Sequence, residues 1–143
     1  MLALVGAAIS LYLTLAHYNV LALTCGQVAG CEEVAAHPTA RGFGIPGLES
    51  VPTALFGFLM FLTVADLSFL RVVLAGKPVV ELFVRMQKGI VLAAVGVFAY
   101  LTYLEAFVIR AWCQWCVAAA AVTVLMLPAL FLTKSTQTET NAP

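Results

Sequence analysis

The stretch KGIVLAAVGVFAYLTYLEAFVIRAWCQWCVAAAAVTVLMLPALFL, from Lys88 to Leu132, decides the fold. After Lys88 it carries only two charges, Glu105 and Arg110. A helix needs about 20 apolar residues to cross the hydrocarbon of a bilayer. The stretch holds two such runs, Lys88 to Ile109 and Cys113 to Leu132, split by Arg110-Ala111-Trp112. Two more lie upstream, Ala3 to Leu23 and Pro52 to Leu74. The expectation is an all-α integral membrane protein, a four-transmembrane-helix bundle. Residues 1–133 form its single domain, and the polar tail 134–143 frays. The first run lacks a basic n-region and a small-residue cleavage site, so it reads as a retained anchor rather than a removed signal. Glu81, Arg85 and Lys88 recur at helical spacing, which extends the third helix over Val79 to Arg85 beyond the membrane.

Composition supports this outward from the core stretch. Of 143 residues, 63% are hydrophobic and 10% charged, which excludes a soluble globule with a modest core. Lipid is the surrounding partner. The Lys and Arg residues make no run that tracks a phosphate backbone, so nucleic acid is excluded as a partner. Arg71, Lys77, Arg85 and Lys88 flank the second loop, and Lys134 follows the last span. By the positive-inside rule that side is cytoplasmic, and both termini with it. The first loop sets Arg41 against Glu32, Glu33 and Glu49, and the third connection holds Arg110 alone. These two are extracytoplasmic. Helix parity then brings all four cysteines to the outer face, where disulfides persist.

The cysteines form two pairs, Cys25-x5-Cys31 in the first loop and Cys113-x2-Cys116 opening the last span. Cysteines three apart lie on one face at a helix N-terminus, where unpaired N–H groups favour a thiolate. Such a pair closes into a disulfide and exchanges electrons through mixed disulfides. The loop pair lies in TCGQVAGCEE, Thr24 to Glu33, which has two glycines and no strong helical pattern. A moving loop disulfide meets a soluble partner on one side and the membrane pair on the other; a loop staple is the plainer reading. Cys-x-x-Cys is also half of a zinc site, but the lack of polar residues supporting Cys113 argues against one, and no metal is expected.

In order along the chain stand Gly6 with Ser10-Leu11-Tyr12, then Cys25 and Cys31, then Arg41-Gly42-Phe43-Gly44-Ile45-Pro46. Pro52 with Leu55-Phe56-Gly57 follows, then Tyr103-Leu104 and Cys113-Gln114-Trp115-Cys116. In this order and spacing the chain resembles the vitamin K epoxide reductase family, in its bacterial type. The resemblance implies a four-helix bundle holding a quinone of ubiquinone or menaquinone type near Cys113 and Cys116. It implies electrons passing from a thioredoxin-like partner to the loop pair, then to the Cys-x-x-Cys pair, then to quinone. Carried over, Cys31 meets the partner, Cys25 exchanges with Cys113, and Cys116 faces the quinone. The expected role is to support disulfide formation in exported proteins at the bacterial cytoplasmic membrane. Many members carry a fused thioredoxin-like domain, so a chain ending at Pro143 is expected to use a separate one. Where the family commonly has Ser or Thr six residues after the second loop cysteine, this chain has His37. Where vertebrate members hold the quinone carbonyl with Asn and Tyr, it has Thr53 and Ala120, which argues against vitamin K epoxide as substrate.

Other residues join the candidate site. Thr53, Phe56, Trp112, Trp115 and Glu105 are expected around the quinone. Glu105 is either a proton relay or a headgroup-level carboxylate paired with Arg110 or water. His37 is a partner-side base or a solvated loop histidine. Asp66 is expected to pair toward Arg71 at the inner interface. The two tryptophans also suit an ordinary interfacial belt. The competing function is a non-catalytic tetraspan protein with two structural disulfides. The other quinone-linked thiol oxidase family of bacteria places Cys-x-x-Cys in the first outer loop; here the order is reversed.

Overall fold

The structure, a computed structural model, describes residues 1–26 and 30–140, with side chains through Leu132. The middle of the cysteine loop, 27–29, and the end of the tail, 141–143, lie outside the described residues. Three helices are long and apolar enough to cross a membrane: Thr53–Val73, Val79–Ile109 and Gln114–Leu132. The fourth, α1 (Leu2–His17), is apolar but has 16 residues. At 1.5 Å per residue that is about 24 Å, short of a ~30 Å hydrocarbon core. The expected first helix to Leu23 therefore stops early. Asn19 takes a left-handed backbone (φ 56°), which breaks the helical run, and the chain turns back along the bundle end.

Helix α2 (Cys31–Ala36) follows in the first loop, where no helix was expected. Glu32 and Glu33 occupy its first turn, where the helix dipole favours negative charge. The loop then closes on itself. Arg41 and Pro52 form an isolated bridge and the Gly42 N–H donates to the Val51 carbonyl at 2.8 Å. Gly42 has φ 57°, and a Cβ there would lie 2.4 Å from the Leu48 carbonyl oxygen, so only glycine fits. Among the described residues there is no strand.

Helices α3 (Thr53–Val73), α4 (Val79–Tyr103) and α5 (Gln114–Thr140) complete the bundle. The backbone of α5 stays helical well into the polar tail, beyond the expected end of the domain at residue 133. A π-helical turn, Leu104–Ile109, prolongs α4. Small residues set the closest approach in the bundle: Gly6 of α1 faces the Phe61 ring, and Gly57 of α3 faces Ser10. Small residues let helix backbones meet closely where lipid supplies no hydrophobic drive. Ala3, Ala7, Phe61, Val64, Val91, Met126 and Leu130 from all four long helices form one buried core. Leu59, Phe69, Leu92 and Leu125 are exposed on the outside, as a lipid-facing surface requires.

Polar residues inside the bundle are paired. Gln87, 2% exposed, donates to Ser68 Oγ at 2.7 Å and accepts from Arg71 Nη1 at 2.8 Å. Arg71 thus bonds to Gln87 and not to Asp66, which is exposed. Positions five apart on a helix do not share a face, so α4 supplies the partner that α3 cannot. Arg85 and Glu81 form the expected helical ion pair at 3.4 Å.

Candidate functional site

The site grows from the start of α5. Cys113 occupies the residue before the helix, and its carbonyl accepts from Val117 N–H at 3.0 Å. Its Sγ accepts from the Cys116 N–H at 3.4 Å, so the sulfur stands where an N-cap oxygen usually stands. A sulfur held there faces the positive end of the helix dipole.

The segment leading to Cys113 is shaped by the π-helical turn. The turn ends at Arg110 with a left-handed backbone (φ 55°), and Ala111 N–H donates to the Glu105 carbonyl at 3.2 Å. The Glu105 side chain is 4% exposed, and its Oε2 accepts the Cys113 N–H at 3.2 Å. Glu105 therefore binds the cysteine segment and not Arg110, which points to the exterior. Its carboxylate also interacts with the Cys116 thiol. π-Turns add one residue to a helix and recur where a side chain must be redirected.

The loop pair is seated on this segment. Cys31 and Cys113 are buried together with Val34 and Ala111, and Cys25, Cys116 and Trp115 pack around them. Cys31 is 1% exposed, whereas Cys25 is half-buried. Cys31, expected to meet the partner, is buried: α2 opens at Cys31 and packs it against Ala111 and Cys113. Burial, with the Cys25 thiol beside it, pushes the Cys31 thiol up to about 12 from 9.0. Gly30, just before it, lies against the Trp112 backbone.

A cavity of about 450 Å³ opens beneath the cysteines between the helices. Cys31, Cys116 and Glu105 are in its wall, and so are Thr53 and Phe56. Most other lining residues are apolar, among them Leu13, Met60 and Phe98. Thr53 Oγ1 donates to the Thr39 carbonyl at 2.6 Å and accepts from Phe43 N–H at 3.1 Å, so it ties the loop to α3.

Two residues expected around the quinone, Trp112 and Trp115, lie outside the cavity wall, and His37 stays in the first loop. Trp112 is 46% exposed on the outer surface. Trp115 turns from the cavity, donates its indole N–H to the Thr24 carbonyl at 3.0 Å and packs its ring at a tilt against Tyr12. His37 accepts the Thr39 N–H at 3.3 Å on Nδ1, capping the short helix Pro38–Ala40. Tyr12 and Ser10 belong to the site's surroundings without having been assigned roles from sequence; their i, i+2 spacing near a helix end carried no chemical signal.

A multi-pass helical membrane protein with two thiol pairs gathered at one bundle end, above an apolar cavity, is organised around membrane thiol chemistry. The comparison with protein families agrees. The model of the vitamin K epoxide reductase family matches residues 1–131, and the chain belongs to that family. Its members are membrane thiol oxidoreductases, known to use quinones. No curated protein matches the chain.

Proposed function

We propose that the protein oxidises a protein dithiol and passes the electrons to a quinone, supporting disulfide formation in exported proteins. The observation that carries this reading is the gathering of both cysteine pairs in one packed cluster whose inner member, Cys116, lines the cavity. Two structural staples have no need to share one cluster or to border a cavity. The size and apolar walls of the cavity suit a small ring compound, with polar groups confined to a few positions.

The chain of exchange follows the burial of the thiols. A partner thiolate, from a thioredoxin-like protein, attacks Cys25 of the oxidised loop pair, and Cys31 leaves. The partner's second thiol releases Cys25. The reduced Cys31 then attacks Cys113; the Cys113–Cys116 bond breaks and Cys116 leaves as the thiolate. Cys25 closes onto Cys31 and frees Cys113. The Cys113–Cys116 disulfide then forms again; a quinone in the cavity lined by Cys116 would supply the acceptor for the two electrons and two protons released. Glu105 receives the Cys116 proton during that oxidation, because its buried carboxylate interacts with that thiol. Phe56 and Thr53 shape the cavity mouth.

The topology in this reading has α1 as a fourth span beside α3 and α5, with the cysteine end extracytoplasmic and the Arg71, Lys77, Arg85 and Lys88 end cytoplasmic. The clustering of cysteines far apart in sequence supports the parity on which it rests.

The test is quinone absorbance with purified protein, a short-chain quinone and a reduced thioredoxin-like protein, with Cys116→Ala in parallel. Wild-type reduction that the variant loses is the expected result. Failure of wild type across ubiquinone-type and menaquinone-type acceptors would return the structural-disulfide reading.

A further inference from the structure

Residues 18–25 follow α1 without helix or strand, yet two side chains hold this segment from both sides. From α1, Tyr12 Oη donates to the Ala22 carbonyl at 3.0 Å and accepts the Thr24 N–H at 2.8 Å. From α5, the Trp115 indole N–H donates to the Thr24 carbonyl at 3.0 Å. The two rings contact each other with centroids 4.9 Å apart. Both backbone polar groups of Thr24 are therefore bound by side chains, one residue before Cys25. Neither ring lines the cavity.

A backbone stretch outside regular structure needs partners for its N–H and C=O groups. Here one partner, Tyr12, comes from α1, and the other, Trp115, comes from the helix that bears the second cysteine pair and lies between Cys113 and Cys116. The fastening thus fixes one end of the cysteine loop to the segment with which it must react. Holding reacting groups together raises their effective concentration by orders of magnitude.

We propose that Tyr12 and Trp115 are positioning residues for exchange between the two cysteine pairs, acting through Thr24 to hold the loop on the Cys113 segment. The inference rests on the electron path proposed above and adds to it the device that makes the internal transfer efficient. The step it serves is isoelectronic: the Cys113 thiolate attacks the Cys25–Cys31 disulfide at Cys31, a Cys31–Cys113 bond forms, and Cys25 leaves as the thiolate. The reverse of this step closes the loop pair.

The experiment uses the full chain carrying Cys116→Ser, in which this mixed disulfide has no competing Cys113–Cys116 bond. The loop pair is oxidised, exchange is started by raising pH, and samples are quenched by alkylation and resolved by mass spectrometry. Trp115→Phe keeps an aromatic ring and loses the indole N–H; Tyr12→Phe keeps its ring and loses both hydrogen bonds. Each is expected to slow formation of the mixed disulfide by roughly tenfold, the scale of a lost hydrogen bond or two. Alkylation of Cys113 by a small maleimide, measured in parallel, is expected to keep its rate. If Trp115→Phe does not fold, Tyr12→Phe, which removes only the hydroxyl that bonds the loop backbone, carries the test. Exchange at the unsubstituted rate in the folded variants overturns the inference. An equal fall in Cys113 alkylation also overturns it, because the site and not the loop placement would then have changed. Absence of the mixed disulfide with both residues intact defeats the electron path itself, a result distinct from either.

Discussion

Gly30→Ala tests the seating of the loop most directly. A Cβ on Gly30 would lie 2.7 Å from both the Trp112 nitrogen and the Trp112 carbonyl oxygen, and 3.2 Å from the Ala111 carbonyl carbon. Non-bonded heavy atoms settle at about 3.5–4.0 Å. The opposing atoms are all backbone, so no rotamer change relieves the overlap and one segment must retreat by close to ~1 Å. The residue after Gly30 is Cys31 and the residue after Trp112 is Cys113, so the retreat separates the two thiols proposed to exchange. Overpacking of this kind costs about 1–3 kcal/mol of stability. A displacement near 1 Å at reacting groups lowers a rate by up to about a hundredfold. The assay is mixed-disulfide formation in the Cys116→Ser background, with thermal unfolding in detergent alongside. Gly96→Ala is the control: it lies on α4 with nothing within 4 Å of the added carbon, and it should change neither. Gly30→Ala protein that exchanges at the rate of its parent would refute the docking of the loop on residues 111–113.

Further outcomes follow from the same contacts. Gly6→Ala places a carbon 2.4 Å from the fully buried Phe61 ring; it should destabilise the bundle by about 1–3 kcal/mol, and much of that loss should disappear in a Phe61→Leu background, read by a double-mutant cycle in detergent unfolding. Glu105→Ala leaves the buried Cys113 N–H without its acceptor and should cost about 1–3 kcal/mol. Glu105→Gln keeps an acceptor oxygen, so it should be milder in stability while slowing quinone reduction by about 10² or more, as for loss of a general base. Alkylation of Cys31 depends on its thiolate; with that thiol pushed up to about 12, its rate should climb without a plateau up to about pH 11, while an ordinary thiol levels off near 9. A plateau near 9 would show that Cys31 is not buried as described.

The runs from Pro52 to Leu74 and from Lys88 onward were legible because crossing lipid is a property of composition over about 20 residues. The glycines at positions 6 and 57 mark helix contacts only once it is known which helices meet. Asn19 and the length of α1 were not legible: the apolar run continues to Leu23, and what ends the helix is the left-handed turn at Asn19, after which the chain is held at Ala22 and Thr24 by Tyr12 of the same helix. The pairing of Arg71 escaped for a related reason. Asp66 was the nearest opposite charge along the chain, but Gln87, on another helix, offers its amide oxygen in the right place. Such partners are fixed by how α3 and α4 pack, which no local pattern encodes.

The same distinction governs the chemistry of the site. Spacing shows that Cys113 and Cys116 can react with each other, and parity brings Cys25 and Cys31 to their side. Neither says which loop cysteine faces inward. That is decided by α2, a six-residue helix whose start at Cys31 buries its thiol against Ala111 and leaves Cys25 nearer the exterior. An inner thiol with a high proton affinity is a slow nucleophile at rest, and a buried one is shielded from solvent oxidants and from stray thiols. In the proposed path, exchange then depends on contact with Cys113 more than on ionisation. In this arrangement specificity comes from the loop's fit to residues 111–115, and the glycine at position 30 and the Tyr12–Trp115 fastening serve one end: they keep the two pairs close enough to react with each other before either reacts with anything else.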